Sequence, residues 1–170
     1  MKNYSVLWVV IGRQTAWDDE EDPPTALPGT DDIEEPIVAV RPAVISMAKE
    51  VTEEAYNLLG EGYRAITSVA GIVKYLELVA DEDAYVDAAR ILYLRATVDP
   101  VVLGHPGHDF RVYYVVSDLI PSAGYESATW LAPENIDSYG MLEYENSGGV
   151  ILMDPMSGPG CYLPVIIEFK

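Results

Sequence analysis

The sequence predicts a mainly β protein: a sandwich or barrel-like β core, one or two short helices and long Pro-rich loops. Two observations carry this. Short apolar runs rich in β-branched residues recur from end to end, divided by Gly, Pro, Asn and Asp clusters. In "ILYLRATV", Leu92, Leu94, Ala96 and Val98 alternate with Ile91, Tyr93, Arg95 and Thr97, the period of a half-buried strand. With 170 residues, 49% of them apolar, the chain reads as one domain over 1–170 with a core of its own.

The elements follow in order. Val6–Ile11 is a continuous apolar run, which predicts a buried first strand rather than a signal peptide, since Arg13 and acids follow it without a small-residue cleavage site. Residues 18–36 hold "DDEED" and Pro23, Pro24, Pro28 and Pro36, and read as a protruding acidic Pro-rich loop. In "VRPAVISMAKEV", Pro42 biases Arg41 away from helix, so the segment is extended in part. Thr52 is placed to cap a short helix over "TEEAYNLL", and Asp81 a second over "DEDAYVDAA", each with acids in the first turn. Between them, "AITSVAGIVKYLELVA" favours two strands around Gly71. "FRVYYVV" is a further strand. "GMLEYE" and "GVILM" flank Asn146, Ser147 and Gly148, which suggests a hairpin or a tight connection, and "LPVIIEF" is a C-terminal strand.

Charge and motifs exclude more than they select. The net charge is -18 and the ten Lys and Arg residues are dispersed, so no basic patch exists for direct nucleic-acid binding. No apolar run has the ~20 residues of a membrane span. Cys161 is the single cysteine, with no disulfide partner and no basic neighbour in sequence to activate it. "DDEED" offers oxygen ligands but lacks the spacing and central glycine of an EF-hand loop. His105, His108 and Asp109 in "GHPGHD" are ligand types for zinc or iron, yet lack an obvious further ligand. There is no P-loop, G-x-S-x-G or CxxC, and the reading is no catalysis, no metal and no cofactor. The aromatics point elsewhere: twelve Tyr and three Trp supply core, but also the residue types favoured at protein interfaces.

Three stretches in order, Trp8–Pro24 ("WVVIGRQTAWDDEEDPP"), Ile91–Leu119 ("ILYLRATVDPVVLGHPGHDFRVYYVVSDL") and Gly140–Phe169 ("GMLEYENSGGVILMDPMSGPGCYLPVIIEF"), resemble tailed-phage structural proteins typified by the baseplate wedge subunit of contractile-tailed phages, in a short version. In that family a strand ends in Gly-Arg and passes through a Trp and acids into a Pro-rich turn. One departure is that Ser147, Gly148 and Gly149 follow Glu145–Asn146, where the family often has Arg-Pro-Pro. The resemblance implies a non-enzymatic virion component of the tail, baseplate wedge or head–tail neck, made in the host cytoplasm. It implies partners among copies of itself in a symmetric ring or wedge and among other phage tail, baseplate or neck proteins, with no membrane. The candidate interface residues are Trp8, Arg13, Trp17, Pro23, Pro24, Arg111 and Tyr144. Charge alone leaves one alternative, a free acidic DNA mimic that inhibits a host DNA-handling enzyme.

Overall fold

A computed structural model describes residues 7–12, 33, 35–69, 72–98, 109–110, 112–146, 151–152, 154–155 and 161–168. These residues are mainly β, as predicted, and hold one α-helix. The strands are β1 (Leu7–Gly12), β2 (Pro36–Val40), β3 (Val44–Val51), β4 (Arg64–Val69), β5 (Ile72–Val79), β6 (Ile91–Val98), β7 (Asp109–Phe110) and β8 (Val112–Ser117), then β9 (Ile120–Pro121), β10 (Trp130–Leu131), β11 (Ile136–Ser138), β12 (Met141–Asn146), β13 (Ile151–Leu152), β14 (Asp154–Pro155) and β15 (Cys161–Glu168). The chain divides into two compact units, Met1–Pro42 with Ala96–Leu163 and Ala43–Arg95 with Pro164–Lys170.

The first unit is built on a five-stranded sheet of order β10-β2-β1-β8-β12 with antiparallel pairing throughout. One face gathers Trp8, Val10, Ala39, Val112, Tyr114, Val116, Leu131 and Leu142 into a buried cluster with Leu119. The register demands this, because Trp8 faces Val116, Val10 faces Tyr114 and Ala39, and Leu142 faces Val116. On the opposite face Val9, Ile11, Val38 and Val115 are equally buried. That double burial is why β1 reads as an unbroken apolar run instead of an alternating one.

The second unit contains β3, β4 and β5, the antiparallel end of a sheet ordered β14-β15-β6-β3-β5-β4. The ambiguous stretch resolves into the hairpin β4–β5, with Val69 opposite Ile72. Ala48, Ala65, Leu76, Ile91 and Tyr93 form its buried cluster. The alternation read in β6 is thereby corrected: Ile91 and Tyr93, predicted to share the more exposed face, are buried too.

Thr52 caps helix α1 (Glu53–Leu58), its hydroxyl accepting from the Ala55 amide at 3.2 Å. With no buried residue on α1, the cap and the Tyr56–Tyr75 ring contact at 5.1 Å hold it to β5. Thr52→Ala is expected to cost about 1 kcal/mol, read as a lower urea midpoint with an unchanged slope. The helix predicted after Asp81 is absent; residues 81–88 form successive turns. Ala88 adopts φ 51°, and the Ala88 and Ala89 amides donate to the Tyr85 and Ala84 carbonyls. The amides of Asp83, Ala84 and Ala88 donate three residues back and that of Asp87 four, so the bonds are those of successive turns and not of a helical ladder, although the acids do occupy the first turn.

Of the two readings around Asn146–Gly148, a hairpin or a tight connection, the hairpin is corrected. β12 pairs with β8 and β13 pairs with β7, so the two runs lie along a shared partner segment and not against each other. The predicted C-terminal strand is present as β15.

Candidate functional site

In the first unit, the ends of β1, β2 and β8 meet at one end of the five-stranded sheet. β1 leaves the sheet at Gly12, which is in register with Pro36, the start of β2, and with Val112, the start of β8. β12 ends nearby, with Asn146 opposite Tyr113. Residues 13–35 therefore leave and re-enter at adjacent positions on neighbouring strands. The register slips between Ile11 and Gly12, and Glu35 turns the chain with φ 42°, so the root of this segment is marked by irregular backbone at both strands. Arg13 directly follows Gly12, and Arg111 directly precedes Val112. Arg13, Trp17, Pro23, Pro24 and Arg111 themselves, and the predicted loop 18–36 up to Asp32, lie outside the described residues. Tyr144 is half-buried, its ring 6.2 Å from that of Tyr113. Trp8 is placed in the core, 2% exposed.

The other end of the same sheet carries a platform that sequence reasoning missed. Residues 118–140 leave β8 after Ser117 and return to β12 at Met141, and those two residues are opposite each other. Asp118 (φ 58°) and Gly140 (φ 71°) make the two turns. Within the platform β9 and β11 pair, the Ser122 amide donates to the Asn135 carbonyl, and the Ser122 hydroxyl lies 2.6 Å from an Asp137 carboxylate oxygen. Both carboxylate oxygens of Glu126 accept from the Gly124 amide, at 3.1 and 3.0 Å. Its own backbone amide and that of Gly124 hold the Glu126 carboxyl below the usual range.

Arg41 ties this platform to the core. Pro42 keeps Arg41 extended, and the β1–β2 register brings it beside Trp8. Its guanidinium carbon lies 4.6 Å from the Trp8 ring centroid. Nε then donates to the Ala128 carbonyl at 3.1 Å, and an Nη donates to that of Glu126 at 3.0 Å. The Arg41 amide adds a bond to Thr129 at 2.9 Å. One planar fork thus satisfies two carbonyls while stacked on an aromatic face, a geometry that lysine does not reproduce.

What this clamp presents is apolar and acidic. Ile120, Tyr125, Trp130 and Met141 are exposed, Trp130 by 48%. Asp118, Glu126, Glu134 and Asp137 are exposed beside them in sequence. From Val112 to Phe169 the chain has no Lys, Arg or His. The surface can therefore bury aromatic area and offer carboxylates, which suits a partner with basic side chains. The sequence signal was available in that cation-free stretch, but exposure of Trp130 depends on its seat on a two-residue edge strand.

The residues described offer no comparable chemistry. Among them no group of three His, Cys, Asp or Glu is placed to hold a metal ion, and no helix is long and apolar enough to cross a membrane. His105 and His108 lie outside them. The buried Tyr139 hydroxyl finds no hydrogen-bond partner among the described residues, and desolvation, with the Glu134 charge, raises its pKa.

Comparison with known proteins gives the family. The model of a family described as "Baseplate wedge 3 tail fiber network component" matches residues 1–151. The chain belongs to that family. This baseplate wedge family member is also similar to Virion protein 3 of Enterococcus phage phiEF24C, 27% identical over 141 residues, which cover 81% of this chain and 71% of that protein. The resemblance noted in the sequence is thus upheld: the wedge-family chain is a structural protein of a phage virion.

Proposed function

We propose that the protein is a non-enzymatic building block of the phage baseplate wedge, joined there to other tail and baseplate proteins and to copies of itself. The observation that carries this reading is the platform 118–140, a surface fixed from within by Arg41 that still leaves Trp130 half in solvent. A binding surface gains by such prior ordering, because less conformational entropy is lost on docking. The segment 13–35, rooted at the opposite end of the sheet, supplies a second contact with Arg13, Trp17, Pro23 and Pro24. Trp8 and Tyr144 support the sheet from within, and Arg111 directly precedes β8 in sequence. The acidic surface favours basic neighbours and keeps the free subunit soluble before assembly.

Two measurements test this. Baseplates and head–neck complexes separated from disrupted virions and analysed by quantitative mass spectrometry should place the chain with the baseplates, at a fixed ratio to the other wedge proteins. Recovery with the head–neck fraction would overturn the station. Trp130→Ala should leave the isolated fold nearly intact while weakening the docked state. Loss of a central aromatic anchor of about 2 kcal/mol corresponds to roughly 30-fold in affinity. Competition between wild-type and variant subunits for incorporation into particles reads this directly. Equal incorporation would remove Trp130 from the interface.

A further inference from the structure

We infer that strand β4 is a self-association edge, where two copies of the chain join their sheets antiparallel through Ile66. Sheet ends in natural proteins are blunted by short strands, proline, bulges or charge, since an open edge is a template for another strand. Among the described residues, three of the four ends of the two large sheets are blunted. β10 has two residues, β14 has two including Pro155, and β12 has a register slip between Leu142 and Tyr144. β4 has none of these devices. It has six residues, pairs with β5 without interruption from Arg64 to Val69, and contains no proline. Its charge is confined to Arg64, whose guanidinium lies 5.1 Å from the Tyr56 ring centroid.

The surface around this edge is apolar where a partner strand would lie. Ile66 and Val73 are each 50% exposed on one face, and Ile72 is 67% exposed on the other. Ile66 stands opposite Tyr75, which packs on Tyr56 of α1. An antiparallel β4–β4 pair centred on Ile66 keeps each face continuous across the two-fold axis, and makes a row Tyr75–Ile66–Ile66–Tyr75. Addition of a strand to an open edge is a standard mode of recognition, with main-chain bonds for affinity and alternate side chains for register.

Charge selects a second copy as the occupant. The first unit has four basic and eighteen acidic residues, net -14, whereas the second has six and ten, net -4. Near β4 the charges are already matched, Lys49 with Glu77 at 3.3 Å and Lys74 with Glu50 at 3.1 Å. A β4–β4 contact therefore joins second units of net charge -4 each, whose mutual repulsion is far weaker than that of two first units at -14 each. A strongly basic strand from another protein would find its complement on the first unit instead.

The test uses the purified full chain, so its result is separate from the station of the protein in the virion. Sedimentation equilibrium should show a dimer, and Ile66→Lys should weaken it at least about 30-fold with a melting temperature close to wild type. In a Cys161→Ser background, Ile66→Cys should join two chains through a short thiol cross-linker, whereas Ile72→Cys, on the opposite face at the hairpin tip, should not. A wild-type chain that stays monomeric at every concentration overturns the inference. So does a dimer indifferent to Ile66→Lys, or equal cross-linking at Ile72→Cys. A monomer whose binding to isolated baseplate proteins is lost on Ile66→Lys would overturn it in favour of a foreign strand on the same edge.

Discussion

Trp8→Ala is expected to destabilise the protein by about 3–5 kcal/mol, the usual cost of deleting a buried aromatic. Trp8 is 2% exposed and lies on the face of β1 that builds the larger core cluster. The substitution removes packing, and it also removes the ring on which Arg41 rests. The guanidinium then keeps its two carbonyl acceptors without its platform, so the loss reaches residues 126–129. Trp8→Phe keeps an aromatic face under the guanidinium and should recover a large part of the loss. For a chain of this length each kcal/mol moves the melting temperature by roughly 2–4 °C, so calorimetry should record a fall of about 6–20 °C. A fall of only about 2 °C would show that the indole is dispensable to the core.

Gly140→Ala is expected to cost at least about 3 kcal/mol, from overpacking added to a left-handed backbone. Gly140 has φ 71°, and a Cβ placed there would meet the Ser117 carbonyl oxygen and the Asp118 backbone well inside contact distance. These are main-chain atoms at the point where the platform leaves and rejoins the sheet, so no flexible side chain can yield. Gly124→Ala is the informative comparison. Gly124 has φ 93° but open space where its Cβ would stand, so it should show the backbone penalty alone, about 1–2 kcal/mol. Equal losses at the two positions in a urea titration would mean that the clash at Gly140 is relieved by movement of the loop.

The elements legible in the sequence were those whose local preference and tertiary setting agree. β1 and β8 are buried on both faces, and their unbroken apolar runs say so. Thr52 was legible as a cap because its hydroxyl needs only a nearby amide. Asp81 offered the same cue and failed, since the amides that follow it bond mostly three residues back and Ala88 turns left-handed, and no side-chain pattern announces those turns. The pairing of β12 and β13 with β8 and β7 was illegible for another reason. The Gly-rich stretch between them imitates a hairpin turn, while the register is decided by strands distant in sequence.

The candidate site was legible in part. The Gly-Arg, Trp and Pro-Pro series falls outside the described residues, and the register shows only that Gly12, Pro36 and Val112, the strand residues that flank it and Arg111 in sequence, meet at one sheet end. Trp8 was read with that series, yet its alternation places it under Arg41 in the core. Trp130, the largest exposed aromatic of the platform, was passed over because nothing local separates an edge-strand Trp from a core one. The charge of -18 admitted both a virion component and a DNA mimic, and charge alone does not choose between them. The order of three motifs along the chain did, and the family match over residues 1–151 agrees with it.

A cryo-EM reconstruction of the phage baseplate at side-chain resolution tests the central claim most directly. The chain should stand at a wedge position, with Trp130 and Tyr125 covered by a neighbouring tail protein that presents basic side chains to Glu126 and Asp137. A chain found only at the head–tail neck, or one seated in the wedge with the 118–140 platform facing solvent, would contradict it.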